Sequence, residues 1–295
     1  MNNSKQHKAT LLGFGAIIMW GMLALLTSFC GNIPPFQLAA MTFFIAFLIG
    51  VVAFIRSERN YSRLKQPISV WIIGVLGLFG YHAIYFMAMK NAPSIEVSLI
   101  NYLWPVLIVV FSSFLPGEKL RWFHLLGVAL GFLGIVLLLQ SNGSFHLNQK
   151  YILGYGQALS CAIIWSLYSV LSRKNQGAPT LLIGAFCGIT SILSLICHLL
   201  FEKTVMPGMI EWIPIVLLGL GPVGLAFFVW DYGVKNGNIK LLGTLSYIAP
   251  LLSSILLICF GRTEFSWILM VSCALIIGGS AVSSFDNIRG IQSRQ

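Results

Sequence analysis

Residues 94–107 read SIEVSLINYLWPVL, an apolar stretch that also contains an acid, an amide, two aromatic residues with polar tips and a proline. The segment from 93 to 115 is long enough to cross a bilayer as one helix, which needs about 20 mostly apolar residues. A polar group that faces hydrocarbon without a partner is costly. The stretch therefore predicts a membrane helix whose unusual residues face protein or water. They are Glu96, Asn101, Tyr102, Trp104 and Pro105.

The composition of the whole chain is typical of a membrane protein. Of its 295 residues, 57% are hydrophobic and 9% are charged, whereas a soluble protein carries about 25% charged residues. The net charge of +10 could indicate nucleic-acid binding. With so few charges in total, we interpret it as a bias of basic residues toward the cytoplasm. We therefore expect the lipid bilayer, and no nucleic acid, as a partner.

Ten segments are long and apolar enough to span a bilayer, so we expect an all-α integral membrane protein with ten transmembrane helices. Short connections with turn residues leave no room for a soluble domain. The apolar run near the N-terminus is longer than a signal-peptide core, so we expect an uncleaved first helix. The predicted spans are 9–29, 35–55, 68–89, 93–115, 122–140, 151–172, 179–200, 212–234, 240–260 and 265–284.

Basic residues are distributed unevenly over the connections. If the N-terminus is cytoplasmic, 14 of the 18 lysines and arginines lie on the cytoplasmic side. The four outer ones are Lys90, Lys150, Lys203 and Arg262. Because cytoplasmic loops of membrane proteins carry an excess of Lys and Arg, both termini are predicted to be cytoplasmic.

The second half of the chain repeats the first at an offset of 145 residues. Each half contains five predicted helices, and an odd number means that the second half crosses the membrane in the opposite sense. We therefore expect two inverted five-helix repeats, 1–145 and 146–295, within one membrane domain, as in many secondary transporters. The matched residues are Tyr102 with Tyr247, Pro105 with Pro250, Trp20 with Trp165, Lys90-Asn91 with Lys235-Asn236, and Trp122 with Trp267.

The ends of the two halves read GEKLRWFHLLGVALGFLGIVLL (117–138) and GRTEFSWILMVSCALIIGGSAV (261–282). These segments and the repeat resemble the drug/metabolite transporter superfamily, EamA type. The stretch IEVSLINYLWPVL (95–107) resembles the fourth-helix motif of its aromatic amino-acid exporter branch, the YddG-like proteins. The resemblance implies a multi-pass protein of the bacterial inner membrane that exports amino acids, and also small aromatic xenobiotics.

Several candidate site residues fall at the same depth on two consecutive helices. His82 and Tyr85 lie on the third predicted helix, and Asn101, Tyr102 and Trp104 on the fourth. His82, Asn101 and Tyr102 are about 12–14 Å from the outer ends of their helices, close to the midplane. We expect these five residues to bind substrate. The alternatives are a neutral His82 bonded to a carbonyl or to Tyr102, and an Asn101 that only joins helices.

Other candidates follow from the repeat. Pro105 and Pro250 occupy equivalent positions, and each removes a backbone donor, so they are predicted to act as gating hinges as well as kinks. Tyr85 is favoured over Tyr81 as a cavity residue. Five further aromatic residues are predicted to line the cavity, with packing as the alternative. They are Trp20, Trp165, Tyr168, Trp230 and Tyr247.

Two acidic residues are considered for polar contact or coupling. Glu96 lies in a first helical turn, where the helix dipole favours an acid, and we prefer that role to contact with a substrate ammonium group. Asp231 precedes Lys235 by four residues, and an ion pair between them is favoured slightly over a transport role.

No enzyme motif is present in the sequence, so we expect a transporter and not an enzyme. The chain lacks a P-loop, and its six cysteines show no metal-binding spacing, so neither a metal nor another cofactor is predicted. The glycines in GVALG (127–131) fit helix packing within one chain or a dimer, so a monomer and a homodimer both stay open. A same-fold carrier of a drug, nucleoside or cofactor is an alternative function, and so is a non-transporting membrane subunit.

Overall fold

The computed structural model describes residues 3–57, 64–117, 119–140, 148–261 and 264–283, and within these ranges the regular structure is entirely helical. This confirms the predicted all-α class. The first half contains α1 (Asn3–Gly21), α2 (Leu23–Ser28), α3 (Pro35–Arg56), α4 (Ile68–Val75), α5 (Tyr81–Asn91), α6 (Ser94–Asn101), α7 (Trp104–Ser112) and α8 (Trp122–Gln140). The second half contains α9 (Ile152–Lys174), α10 (Leu182–Phe201), α11 (Trp212–Leu220), α12 (Ala226–Asn236), α13 (Ile239–Leu245), α14 (Ile248–Cys259) and α15 (Trp267–Ser283).

Seven helical stretches of the described residues are long and apolar enough to span a membrane. Several of them join two of the helices named above. Two more, Trp122–Leu138 and Trp267–Ser283, are apolar but shorter. The seven spans are Ser4–Ser28, Pro35–Arg56, Ile68–Asn91, Ser94–Ser112, Leu182–Phe201, Trp212–Asn236 and Ile239–Cys259.

Helix α9 has the length of a span but is not among the seven apolar ones, and buried polar and aromatic residues lie in its middle. It packs against α5, α6, α7 and α12. Because much of its surface faces protein, its polar residues do not have to be compatible with lipid. A hydropathy criterion alone therefore passes over the helix at the centre of the bundle.

The segment predicted as one helix from 93 to 115 is broken. Helix α6 ends at Asn101, and α7 begins at Trp104. Pro105 stands in the first turn of α7, where its missing N–H costs nothing, because a first-turn N–H has no partner within the helix. The equivalent segment of the second half is broken in the same way, between Leu245 and Ile248. The prediction of a kink is confirmed at both places, and that of a continuous helix is corrected.

A second irregularity also occurs twice. Five residues of wider, π-helical backbone, Leu76–Gly80, join α4 to α5, and five more, Gly221–Leu225, join α11 to α12. Their start positions differ by the repeat offset of 145 residues. π-Helical turns inside α-helices are frequent at functional sites. The two halves therefore share their distortions as well as their regular helices.

The packing of the helices is symmetric between the halves. Helix α1 packs against α12, and its repeat counterpart α9 packs against α5. The pairs α3–α10 and α8–α15 join equivalent helices of the two halves. A Cβ atom built on Gly50 would clash with the Cα of Gly184, so α3 and α10 cross backbone to backbone. Gly127 meets Gly279 in the same way, so the glycines of the GVALG stretch serve packing within the chain.

Several residues used in the sequence arguments lie outside the described ranges. They are Glu118 of the quoted segment 117–138, Arg262 of the four outer basic residues, and Arg59, Arg63, Arg289 and Arg294 of the 14 assigned to the cytoplasmic side.

Candidate functional site

Four tryptophans meet at the centre of the bundle. Trp20 from α1 lies with its ring centroid 6.4 Å from Trp104 of α7, 5.5 Å from Trp165 of α9 and 5.1 Å from Trp230 of α12. Each half contributes two rings, and most of the contacts are edge-to-face or tilted, as aromatic rings prefer. The structure thus brings together four of the predicted site residues. We call this group the tryptophan cluster.

A second layer of rings adjoins the tryptophan cluster. His82 contacts Phe43 at 5.1 Å and Phe227 at 6.2 Å, and Phe43 stacks on Phe227 at 5.8 Å. Phe227 also lies 6.1 Å from Trp20. Phe43 and Phe227 were not predicted as site residues. One signal was available for Phe227, because it occupies the repeat position of His82.

His82 makes one hydrogen bond to the protein. Its Nδ1 lies 2.7 Å from the carbonyl oxygen of Leu78, in the π-helical turn. A carbonyl only accepts, so Nδ1 carries the proton and Nε2 of the neutral ring is left as an acceptor. The expected alternative, a histidine bonded to a backbone carbonyl, is therefore correct for one nitrogen. No described residue bonds to the other.

Asn101 is buried and only partly hydrogen-bonded. Its Nδ2 donates to the hydroxyl of Tyr81 over 3.0 Å, while its Oδ1 is buried without a partner among the described residues. Tyr81 also contacts Trp165 at 5.6 Å and stacks on Tyr85 at 6.0 Å. Tyr81 therefore connects Asn101 to the tryptophan cluster, and Tyr85 is one ring further away. The preference for Tyr85 over Tyr81 as a cavity residue stays a prediction.

The carbonyls near the helix break at 102–103 are used within the protein. Ser166 donates to the carbonyl of Trp104 over 2.9 Å, and the hydroxyl of Tyr247 donates to that of Tyr102 over 3.3 Å. The ring of Tyr247 is buried and lies against Gly131 of α8. Tyr247 thus lies in a separate packing group, with Tyr102 at its edge, and not in the tryptophan cluster.

Tyr168 leads from the tryptophan cluster to the predicted ion pair. Its ring is 5.2 Å from Trp165, and its hydroxyl is buried without a hydrogen-bond partner among the described residues. Lys235 Nζ and Thr180 Oγ1 each donate to Asp231 Oδ2 over 2.7 Å. The predicted pairing of Asp231 with Lys235 is confirmed, and both side chains are buried.

Glu96 lies in the first turn of α6, as the dipole interpretation requires, but it is buried. Its Oε2 has no hydrogen-bond partner among the described residues, and Pro93 at the N-cap makes no side-chain bond. The residue is therefore an enclosed carboxyl group and not an exposed cap. In the described part of the chain, no group of three or more His, Cys, Asp or Glu residues is arranged to hold a metal ion.

Comparison with known proteins agrees with this architecture. The sequence pattern of the EamA-like transporter family matches the chain twice, over residues 7–140 and 152–285. An aromatic amino acid exporter, YddG of Ancylobacter novellus, is 50% identical over 280 residues, which cover 95% of this chain and 98% of that protein. The aromatic amino acid exporter YddG of Escherichia coli is 25% identical over 97% of this chain and 99% of its own length.

A solved crystal structure has the same fold. It superimposes with a TM-score of 0.92 at 49% sequence identity, covering 96% of this chain and 99% of the other. The two family matches begin 145 residues apart, which is the offset of the sequence repeat. The protein thus contains two copies of one transporter unit, and the chain belongs to the EamA-like transporter family.

Proposed function

We propose that this protein is a secondary transporter of ten transmembrane helices, with both termini in the cytoplasm of a bacterium and the helices in its inner membrane. The halves, residues 1–145 and 146–295, would cross the membrane in opposite senses. The duplicated π-helical turns and helix breaks support the repeat. The uneven distribution of basic residues over the connections supports the orientation.

We infer that the substrate is an aromatic or other neutral amino acid and that the direction is export. The observation that carries this inference is the tryptophan cluster, which combines rings from both halves with two unused acceptors nearby, Asn101 Oδ1 and His82 Nε2. A site of apolar rings with a few polar groups suits a small molecule with one apolar and one charged end. Relatives named as aromatic amino acid exporters support the same substrate.

Each part of an amino acid has a chemical counterpart in this site. The tryptophan cluster and Tyr85 would contact the side chain of the substrate. The ammonium group would donate to Asn101 Oδ1 and His82 Nε2. The carboxylate would accept from the indole N–H groups of Trp104 and Trp165, which make no hydrogen bond among the described residues.

The protein would change between an outward-open and an inward-open state by bending at the helix breaks. On the side of the bundle that holds the end of α12, α12 packs along α9 and α13 packs along α7. The repeat-related pairs, α5 with α1 and α6 with α14, pack far less extensively. We propose that this conformation is open to the outside and that bending at Pro105 and Pro250 interconverts it with an inward-open form. Tyr102 and Tyr247 would support the two breaks.

Glu96 and Asp231 are the candidates for coupling to protons. Glu96 is the stronger one, because its Oε2 is buried without a hydrogen-bond partner among the described residues. Asp231 already has two donors to its Oδ2. Coupling through Glu96 predicts that Glu96→Gln protein still exchanges labelled amino acid across proteoliposomes but no longer responds to a pH gradient.

The test of function is transport by the purified protein. Proteoliposomes should carry labelled phenylalanine, with threonine and a cationic dye compared under the same conditions and with or without a pH gradient. Flux of phenylalanine, and its loss in Tyr85→Ala protein that inserts normally, is the expected result. Flux of the dye alone would reassign the protein to a drug carrier of the same fold.

A non-transporting membrane subunit is the remaining alternative. The unused acceptors of Asn101 and His82 beside the tryptophan cluster argue against it, because a purely structural core has no need of them. Cysteines introduced one at a time over residues 80–105 separate the two. Water-soluble reagents should label positions beside His82 and Tyr85. Protection of every midplane position would remove the cavity and with it the transporter mechanism.

A further inference from the structure

A small cavity lies beside the tryptophan cluster, between α4, α9, α10 and α12. Its volume is about 20 Å³, which is room for about one water molecule. The apolar residues that line it include Ile73, Leu182 and Phe186. The polar residues that line it are Tyr168, Ser172, Asn175, Asp231 and Lys235.

The charged and polar groups around this space have unused bonding capacity. Asp231 is 1% exposed and Lys235 is 6% exposed, so both charges are withdrawn from solvent. Lys235 Nζ donates to Asp231 Oδ2 and to the carbonyl of Ala178, over 2.7 and 2.9 Å. Within the described residues, Asp231 Oδ1 accepts no hydrogen bond, and the hydroxyl of Tyr168, which is 2% exposed, has no partner.

This group is absent from the other half of the repeat. Phe86 stands at the position equivalent to Asp231, and Leu23 at the position equivalent to Tyr168. Lys235 does have a counterpart, Lys90, but Lys90 is exposed. The repeat fold therefore forms without a buried ion pair at this position. A buried ion pair is weak evidence for stability, because desolvation offsets much of its attraction. A role in ligand binding accounts better for the presence of the ion pair in only one of the two halves.

We infer that Asp231, Lys235 and Tyr168 form a cytoplasmic-side binding site for the charged head group of a zwitterionic amino acid. The inference rests on the proposed function. In the conformation described here, Lys235 binds Asp231 where the substrate ammonium group would bind. In the same way, Asp231 binds Lys235 where the substrate carboxylate would bind. The arriving zwitterion replaces both partners: its ammonium group binds Asp231 and its carboxylate binds Lys235. The hydroxyl of Tyr168 then donates a hydrogen bond to the substrate carboxylate.

The position of the site suits a substrate on its way to the tryptophan cluster. The ring of Tyr168 contacts Trp165, so the head-group site begins one helical turn from that cluster. Thr180 and Ala178, which bond to Asp231 and Lys235, lie in the connection between α9 and α10. Exchange of the ion-pair partners therefore also releases that connection from α12. Binding of the zwitterion and opening of the cytoplasmic side become one event.

The experiment uses inside-out vesicles, whose outer surface is the cytoplasmic face, and measures uptake of labelled phenylalanine. Two competitors each carry half of the zwitterion: phenethylamine has only the ammonium group, and 3-phenylpropanoate only the carboxylate. Asp231→Asn should weaken inhibition by phenethylamine roughly tenfold, the loss of one charged hydrogen bond, and should not weaken inhibition by 3-phenylpropanoate, because the carboxylate then no longer competes with Asp231 for Lys235. Lys235→Gln should have the opposite selectivity. Losses that are equal for both competitors would mean that the pair only holds the helices together, and would overturn the site.

Tyr168→Phe keeps the test decisive if the charge variants insert poorly, because it removes a hydroxyl that has no hydrogen-bond partner among the described residues. It should raise the KM for phenylalanine on the cytoplasmic face by roughly threefold to tenfold, as for one lost hydrogen bond. An unchanged KM would overturn the assignment. Lys90→Gln, the repeat counterpart of Lys235→Gln, is the matched control and should behave like the wild type. Failure of the proposed function is distinguishable, because the wild-type vesicles would then not take up phenylalanine.

Discussion

Helices α5 and α12 occupy the same position in the two halves, follow the same π-helical turn, and differ in what surrounds their inner faces. Tyr81, His82 and Tyr85 of α5 are half-buried. The equivalent residues of α12 are Ala226, Phe227 and Trp230, which are all buried. The same backbone is thus partly open in one half and closed in the other. A transporter built from two equivalent halves reaches two states in this way, by exchanging which half is closed.

The closed half is held by polar contacts to the backbone that are concentrated at the end of α12. Arg173 of α9 donates to the carbonyls of Val234, Lys235 and Gly237 over 2.7–3.1 Å. Carbonyls at a helix C-terminus lack partners within the helix, and a cation there also suits the helix dipole. The guanidinium group therefore joins α9 to α12 on the side that we propose to be cytoplasmic. The comparison of α5 with α12 leads to four tests, from the largest expected effect to the smallest.

The largest effect is expected for Trp230→Ala compared with Tyr85→Ala, which change equivalent positions. Trp230 is fully buried, so its truncation should lower the free energy of unfolding by about 3–5 kcal/mol. Truncation of the half-buried Tyr85 should cost about 1–2 kcal/mol. Thermal unfolding of the two proteins in detergent measures the difference. Equal losses would show that the two faces are closed to the same degree.

The second test exchanges the side chains between equivalent positions. Phe227→His places an imidazole in an apolar, buried position and should destabilise the protein by about 1–3 kcal/mol. His82→Phe should fold normally, because the lost bond to Leu78 is replaced by ring packing. It should bind phenylalanine roughly tenfold more weakly, since the Nε2 acceptor is gone. Melting temperatures and binding isotherms report the two results. A wild-type affinity in His82→Phe protein would remove His82 from the site.

The third test compares Asn101 with its repeat counterpart Ser246, whose hydroxyl donates to the carbonyl of Leu242. Asn101→Leu should reduce the affinity for phenylalanine roughly tenfold, because a charged ammonium loses its acceptor. It should also lower the free energy of unfolding by about 1 kcal/mol, because the hydrogen bond to Tyr81 is lost. Ser246→Ala serves as the control and should leave the affinity unchanged. A loss of stability in Asn101→Leu with full affinity would indicate that Asn101 only joins helices.

The smallest effect is expected at the closed end of the molecule. Thr180→Val removes one of the two donors to Asp231 and should lower the free energy of unfolding by about 1 kcal/mol. By loosening the contact between the α9–α10 connection and α12, it should also increase labelling of a cysteine at Asn175 from the cytoplasmic side. Labelling rates in inside-out vesicles provide the measurement. Identical rates in the variant and the parent would show that Thr180 does not hold this end closed.

Much of the architecture follows from local properties of the chain. Apolar length predicts where helices lie, because an unpaired backbone group in lipid costs too much for other structures. Proline predicts the two breaks, because it lacks an N–H. The offset of 145 residues between Tyr102 and Tyr247 predicts the repeat that the family matches also show. Each of these inferences uses the residue itself and its neighbours in sequence.

Contacts between distant helices were beyond such arguments. Nothing in the sequence near Phe43 indicates that it stacks on Phe227, or that Tyr81 and not Tyr85 bonds to Asn101. The burial of Glu96 was also unexpected, because a first-turn acid is compatible with both an exposed and an enclosed position. These features depend on which faces of several helices meet, and a small rotation of one helix changes the partners without changing its sequence pattern.

By itself, the sequence establishes a helical membrane protein of two related halves, with the candidate polar and aromatic residues of α5 and α6 at similar depth. Hydrophobic length, proline chemistry and the repeat are sufficient for that, because each acts along the chain. The tertiary contacts select among the candidates: they bring Trp20, Trp104, Trp165 and Trp230 together and leave Tyr247 in a separate packing group. They also make equivalent helices unequal, because the inner face of α12 is buried and that of α5 is partly open.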